Sequence, residues 1–135
     1  MSAHSILIID DDEGMLRRLG EAFAGAAFDV HTASDGEIGL RRFNAVGPDV
    51  VLIDILMPTR EGLETIVAMR RERRGTKIIA MSGGGLIGPY DCLSLARHLG
   101  ADATLLKPFR LADALALVSM NMGPTPCPES SVAHG

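Results

Sequence analysis

The stretch Pro48-Asp49-Val50-Val51-Leu52-Ile53-Asp54 sets four consecutive apolar residues, three of them β-branched, in front of a carboxylate. A strand with one face in water alternates apolar and polar positions, so a strand apolar throughout is buried on both faces. Working outward, similar short apolar runs occupy residues 5–9, 28–33, 49–53, 76–81 and 103–106. Each is separated from the next by enough chain for a helix. Leu16, Leu19 and Phe23 form one apolar helical stripe, Leu63, Ile66 and Val67 a second, and Leu111, Leu115 and Val118 a third. Ser34-Asp35-Gly36-Glu37 reads as a capping box, and Gly47-Pro48, Gly75 and Gly100 read as helix ends. Strands alternating with helices imply an α/β protein with a parallel sheet and helices on both of its faces, because right-handed crossovers return each strand to the same direction.

The chain of 135 residues matches one domain. With 47% hydrophobic and 22% charged residues it can bury a core and is too apolar for native disorder. No apolar stretch reaches the roughly 18–20 residues needed to cross a bilayer, and no cationic segment precedes the first apolar run, so a cytoplasmic protein is expected. Cys92 and Cys127, the two thiols, are expected to be unpaired, since their spacing encodes neither a disulfide framework nor a metal site. A net charge of −4 argues against direct nucleic-acid or anionic-membrane binding. The run Arg70, Arg71, Arg73, Arg74 has no interleaved aromatic residues and reads as a solvated helix end. After Met122 the composition turns to Gly, Pro and Ser, so residues 4–122 are expected as the domain and 123–135 as a flexible tail.

In open parallel sheets ligands bind outside the carboxyl ends of the strands. Here those ends carry Asp10-Asp11-Asp12, Ser34-Asp35, Asp54, Ser82-Gly83-Gly84-Gly85 and Lys107-Pro108. Converging carboxylates stay ionised only when a cation neutralises them, which points to a hard divalent ion such as Mg2+. Lys107 supplies a point charge and Ser82 a hydroxyl donor, completing the parts of a phosphoryl-transfer site. A nucleotide cradle of the GxxxxGK[ST] or GxGxxG kind is missing from the sequence, so the phosphoryl group should arrive on another molecule. Asp12, just ahead of Glu13-Gly14-Met15-Leu16, reads better as a helix N-cap than as a ligand. Asp54 reads as functional, because a charge ending a buried apolar strand is costly unless used. His4, His31, His98 and His134 lack ligand spacing and read as surface or terminal residues.

These motifs, Ile6-Leu7-Ile8-Ile9-Asp10-Asp11-Asp12, the stretch from Pro48 through Asp54 to Pro58, Ser82, and Gly100 through Lys107-Pro108-Phe109, resemble the receiver domain of bacterial two-component response regulators. The resemblance implies a flavodoxin-like (βα)5 three-layer sandwich with a five-stranded parallel sheet of order 2-1-3-4-5. It makes Asp54 the phosphoacceptor, with Mg2+ held by Asp10, Asp11, Asp54 and the backbone carbonyl of Leu56. Ser82 becomes the switch hydroxyl and Lys107 its ionic partner. The donor would be a sensor histidine kinase or a histidine phosphotransfer protein, docking on the first helix, where Met15 and Arg18 are expected to be exposed, and on the loop after the fifth strand. An unknown downstream protein would receive the signal, and the chain would be a monomer or weak dimer. It would be no enzyme beyond its own phosphorylation and dephosphorylation.

The sequence departs from the family pattern at several places. Thr104 stands where the family usually has an aromatic residue or histidine three positions before the lysine, so the aromatic switch should be missing. The segment from Ser82 to Lys107 is longer than usual, which suggests a long, mobile glycine-rich loop. Leu56 and Gly84, two positions after the acceptor and after the switch hydroxyl, offer no polar atom to hold an attacking water, so a long-lived phosphoryl group is expected. No output domain follows in the sequence given, which suggests a single-domain receiver. Two other readings compete. Asp10 and Asp12 resemble the DxD pair of a haloacid-dehalogenase-like phosphohydrolase, with phosphate on Asp10, and the fold could also serve as a phosphorylation-independent binding module.

Overall fold

The computed structural model describes residues 4–55, 61–73, 75–82 and 92–122. Five strands, β1 (Ser5–Ile9), β2 (Asp29–Ala33), β3 (Val50–Asp54), β4 (Lys77–Ser82) and β5 (Ala103–Leu106), alternate with five helices. The helices are α1 (Glu13–Gly25), α2 (Gly36–Val46), α3 (Glu61–Glu72), α4 (Cys92–Leu99) and α5 (Leu111–Met122). All neighbouring strands pair in parallel, in the order β2-β1-β3-β4-β5. This is the flavodoxin-like α/β sandwich and the strand order that the sequence resemblance implied.

The period-two geometry of a strand deals consecutive residues to opposite faces, and both faces are apolar here. Leu7, Ile9, Val51, Ile53, Ile78 and Ala80 face a core closed by Phe43 of α2, Ile66 and Met69 of α3 and Ala96 of α4. Ile6, Ile8, Val50, Leu52, Ile79 and Met81 face a second core closed by Leu19 and Phe23 of α1 and Ala114 and Val118 of α5. Phe23 and Phe43 are fully buried, one in each layer. Phe28 packs edge-on against Phe23, with ring centroids 5.1 Å apart.

Three strands are bounded differently from the sequence reading, by one residue at each changed end. β2 begins at Asp29 rather than Phe28, β3 spans Val50–Asp54 rather than 49–53, and β4 spans Lys77–Ser82 rather than 76–81. The last two extend because the ladder continues past the apolar run: Asp54 pairs with Met81, and Ser82 with Leu106. Thr76, assigned to β4 from its β-branched side chain, caps the strand from outside by donating to the Pro48 carbonyl at 3.1 Å. The N-cap of α2 is Asp35 rather than Ser34, with the Asp35 carboxylate accepting from the Ile38 amide at 2.8 Å. Gly47 closes that helix at φ 62°, a conformation glycine adopts without strain.

The arginine run is not uniformly solvated. Arg70 donates to the carbonyls of Gly100 and Thr76 and pairs with Asp102 at 2.7 Å, whereas Arg71 and Arg73 are exposed. A planar guanidinium can serve several acceptors at once, and here it ties the end of α3 to the chain entering β5. His4 also departs from the surface reading: its Nδ1 lies 3.7 Å from Asp49, and its buried Nε2 has no hydrogen-bond partner. Met15 is half-buried and packs against the α1/α5 core rather than standing exposed. The expected tail at 123–135 and the glycine-rich loop at 83–91 lie outside the described residues.

Candidate functional site at the carboxyl edge of the sheet

The alternation that builds the two cores also aims the site. Asp10 and Asp54 continue the Ile6/Ile8 and Val50/Leu52 series, and Lys107 continues Ala103/Leu105, so all three belong to the α1/α5 face. Backbone bonds carry the ladder past the strand ends, from the Asp10 amide to the Ala33 carbonyl at 3.1 Å and from the Lys107 amide to the Ser82 carbonyl at 2.7 Å. Residues 97 positions apart in the chain thereby meet: Lys107 Nζ donates to Asp10 Oδ2 at 2.8 Å and to Asp54 Oδ2 at 3.2 Å. The Lys107–Pro108 peptide is cis.

Asp10 is fully buried and Asp54 nearly so at 5% exposure, while Asp11 is exposed. Ligand oxygens of Asp10, Asp11 and Asp54 lie within 4.8 Å of one another, a set that could hold a metal ion. An oxygen-only, triply anionic donor set suits a hard divalent cation. Burial, joined by the facing Asp54 charge, raises the Asp10 pKa above 3.8 against the opposing bonds from Lys107 and the Asp12 amide. For Lys107, burial works against the ammonium, but the hydrogen bonds and charges of Asp10 and Asp54 outweigh it and hold its pKa above 10.5. The lysine is thus a permanent cation over this rim near neutral pH.

Asp12 is the N-cap of α1: its Oδ1 accepts from the amides of Gly14 and Met15 at 2.9 and 3.3 Å. Its amide donates to Asp10 Oδ1 at 2.9 Å, so the residue orients Asp10 through its backbone. Ser82 ends β4 at 2% exposure, on the opposite parity to Asp54. Thr104 is half-buried in β5 beside Ala80, with no ring to turn. Leu56, whose carbonyl was expected on the metal, lies outside the described residues.

Sequence reasoning passed over Gly62. A Cβ built there would come within 2.5 Å of both the Asp54 carbonyl oxygen and Ile55 Cα. A glycine in the first turn of a helix, where its flexibility is a cost, was the available signal.

The family described as response regulator receiver domain matches residues 6–119. The chain is 36% identical over 113 residues to regulatory protein AtoC of Escherichia coli (strain K12), an alignment covering 84% of this chain and 24% of that one. It is 31% identical over 118 residues to transcriptional regulatory protein PrrA of Mycobacterium leprae (strain TN), covering 87% and 49%. The chain therefore spans a quarter to a half of the length of these relatives. Among solved structures, a CheY-like receiver domain protein from Methanospirillum hungatei JF-1 superposes with a TM-score of 0.81 at 27% identity, covering 90% of this chain and 94% of that one. The BeF3-activated DrrB receiver domain superposes at 0.74 with 26% identity, covering 86% and 94%. With the sheet order, the acidic rim and a family match over most of its length, the chain belongs to the response regulator receiver domains of two-component signalling systems.

Proposed function

We propose that Asp54 accepts a phosphoryl group from a phosphohistidine donor and that the modified chain passes the signal to a protein partner. In this reaction the donor's N–P bond breaks, a bond forms between phosphorus and an Asp54 carboxylate oxygen, and the imidazole departs neutral because the donor ring carries a proton on its other nitrogen. The observation that carries this reading is the contact of Lys107 with both Asp10 and Asp54 at one buried rim. Lys107 holds the Asp54 carboxylate in place and offers a cation to the dianion that develops on it. Ser82, at the end of the next strand, would donate its hydroxyl to a phosphoryl oxygen.

Asp10, Asp11 and Asp54, with the Leu56 carbonyl, would hold Mg2+. A bound Mg2+ supplies charge neutralisation and a template for the phosphoryl oxygens. The donor in this reading is a sensor histidine kinase or a histidine phosphotransfer protein, in the cytoplasm. No described helix is long and apolar enough to cross a membrane. The chain turns over no separate substrate: it is itself the molecule modified. Engagement of Asp12 in capping α1 disfavours the phosphohydrolase alternative, which needs that carboxylate as its acid.

Incubation with acetyl phosphate and Mg2+, followed by intact mass and peptide mapping, tests the reading. One phosphoryl group on Asp54 is expected, and phosphate on Asp10 would replace this account with the phosphohydrolase one.

A further inference from the structure

Two glycines are approached with equal closeness, but by different kinds of atom. A Cβ at Gly39 of α2 would meet Ile9 Cδ1 at 2.5 Å, Cγ1 at 3.0 Å and Cγ2 at 3.4 Å, all of them atoms of one side chain. A Cβ at Gly62 of α3 would meet the Asp54 carbonyl oxygen and Ile55 Cα, both at 2.5 Å, and Ile55 C at 3.2 Å. These are backbone atoms with no rotamer to change. From the other side the same peptide is held by β4, through the Asp54–Met81 pairing and the bond from the Ile55 amide to the Met81 carbonyl at 2.9 Å. The Asp54–Ile55 peptide is therefore clamped between the sheet and the first turn of α3.

We propose that Gly62 is a positioning residue for phosphoryl transfer: its bare Cα lets α3 seat on the Asp54–Ile55 peptide and fix where the acceptor carboxylate sits. The proposal rests on the reading of Asp54 as acceptor. A methyl group at Gly62 falls about 0.9 Å short of ordinary van der Waals distance from that backbone. Either the Asp54 peptide shifts or α3 lifts away. The first outcome moves Asp54 relative to Lys107 and Asp10, and a misplacement of about 1 Å can cost on the order of a hundredfold in rate.

The test compares Gly62→Ala, Gly39→Ala and Asp54→Asn with the parent, using acetyl phosphate and Mg2+ at saturating concentrations. Thermal melts and amide NMR spectra of the metal-free proteins provide the second readout. For Gly62→Ala a fall of about ten- to a hundredfold in the maximal labelling rate is expected, unrepaired by more donor or metal. The NMR shifts should centre on Asp54, Ile55 and Met81. Gly39→Ala should label within about twofold of the parent, whatever its melting temperature, because only a side chain has to yield. Labelling of Gly62→Ala within about twofold of the parent would overturn the proposal, since α3 would then have moved instead. An equal loss in Gly39→Ala would also overturn it, by showing general damage. Should Gly62→Ala be unfolded, refolding in molar trimethylamine N-oxide restores compactness. A labelling rate that stays low there supports the clamp, and full recovery rejects it. Undiminished labelling of Asp54→Asn would instead remove the acceptor reading, a result separable from any effect at Gly62.

Discussion

The sheet has two polar rims, and they use their charges differently. At the amino edge three polar side chains serve the backbone. Asp49 accepts from the Ser5 amide at 2.8 Å, Thr76 donates to the Pro48 carbonyl, and Asp102 accepts from both the Ile78 amide and Arg70. At the carboxyl edge Asp10, Asp54 and Lys107 serve one another, with two carboxylates sharing one ammonium. Side chains that satisfy backbone groups stabilise a strand end, whereas a buried cluster with excess negative charge is a cost that function must justify. Polarity alone does not mark a site: what matters is whether the polar groups have been consumed by the fold.

The largest expected effect separates the rims by chemistry. Asp54→Asn should abolish labelling by acetyl phosphate, read by intact mass, while Asp102→Asn leaves it within about twofold because its carboxylate serves the backbone. Loss of labelling in Asp102→Asn would erase the distinction. Next comes Lys107→Ala, which leaves Asp10 and Asp54 facing each other without their cation. Breaking a buried pair in this way should cost about 3–5 kcal/mol in urea unfolding of the metal-free protein. Added Mg2+ should restore part of that loss, because a second cation then faces the same carboxylates. An unchanged unfolding midpoint would show that the lysine does not hold the rim together.

The same cluster gives a pH signature. The folded-state pKa of Asp10 is raised above 3.8, so the folded protein binds more protons than the unfolded chain in the interval above that value. Stability of the metal-free protein should therefore fall as pH rises through that interval, and Asp10→Asn should flatten this part of the curve. Lys107 behaves oppositely in range: its contribution is complete below 10.5 and is lost as pH rises through its higher folded value. Denaturant midpoints across pH check both.

At the amino edge the effects should be smaller and confined to stability. Arg70→Met keeps the stem that packs on Gly100 but removes the bonds to Gly100, Thr76 and Asp102, and should cost about 1.5–3 kcal/mol. Labelling rate should stay within about twofold of the parent; a tenfold fall would link the two rims. Thr76→Val, the mildest change, removes one hydrogen bond to Pro48 and should cost about 1 kcal/mol in the same assay.

Much of this is legible in the chain itself. Residues 5–9 and 103–106 match β1 and β5, and Asp12 was readable as the cap of α1 because a side-chain acceptor stands just ahead of a helical stripe. Asp54 declared itself by ending an apolar run. The misreadings share a cause. Thr76 and Arg70 carry local signals for strand and for solvated helix, yet their roles are set by Pro48, Gly100 and Asp102, residues 28 to 32 positions away in the chain. His4 and Met15 likewise gave no sign of the groups that cover them.

The alternation of elements, the burial of the sheet on both faces and the residue types at its carboxyl edge follow from local sequence, because periodicity, capping and hydrophobicity act over a few neighbouring residues. That Asp10, Asp54 and Lys107 share one face, that Asp102 closes a strand instead of joining a site, and that Gly62 lies against the acceptor's own peptide are set by the packed fold. Those relations depend on register and on the approach of one element to another within tenths of an ångström. No local pattern encodes such distances, since they result from how the whole core packs.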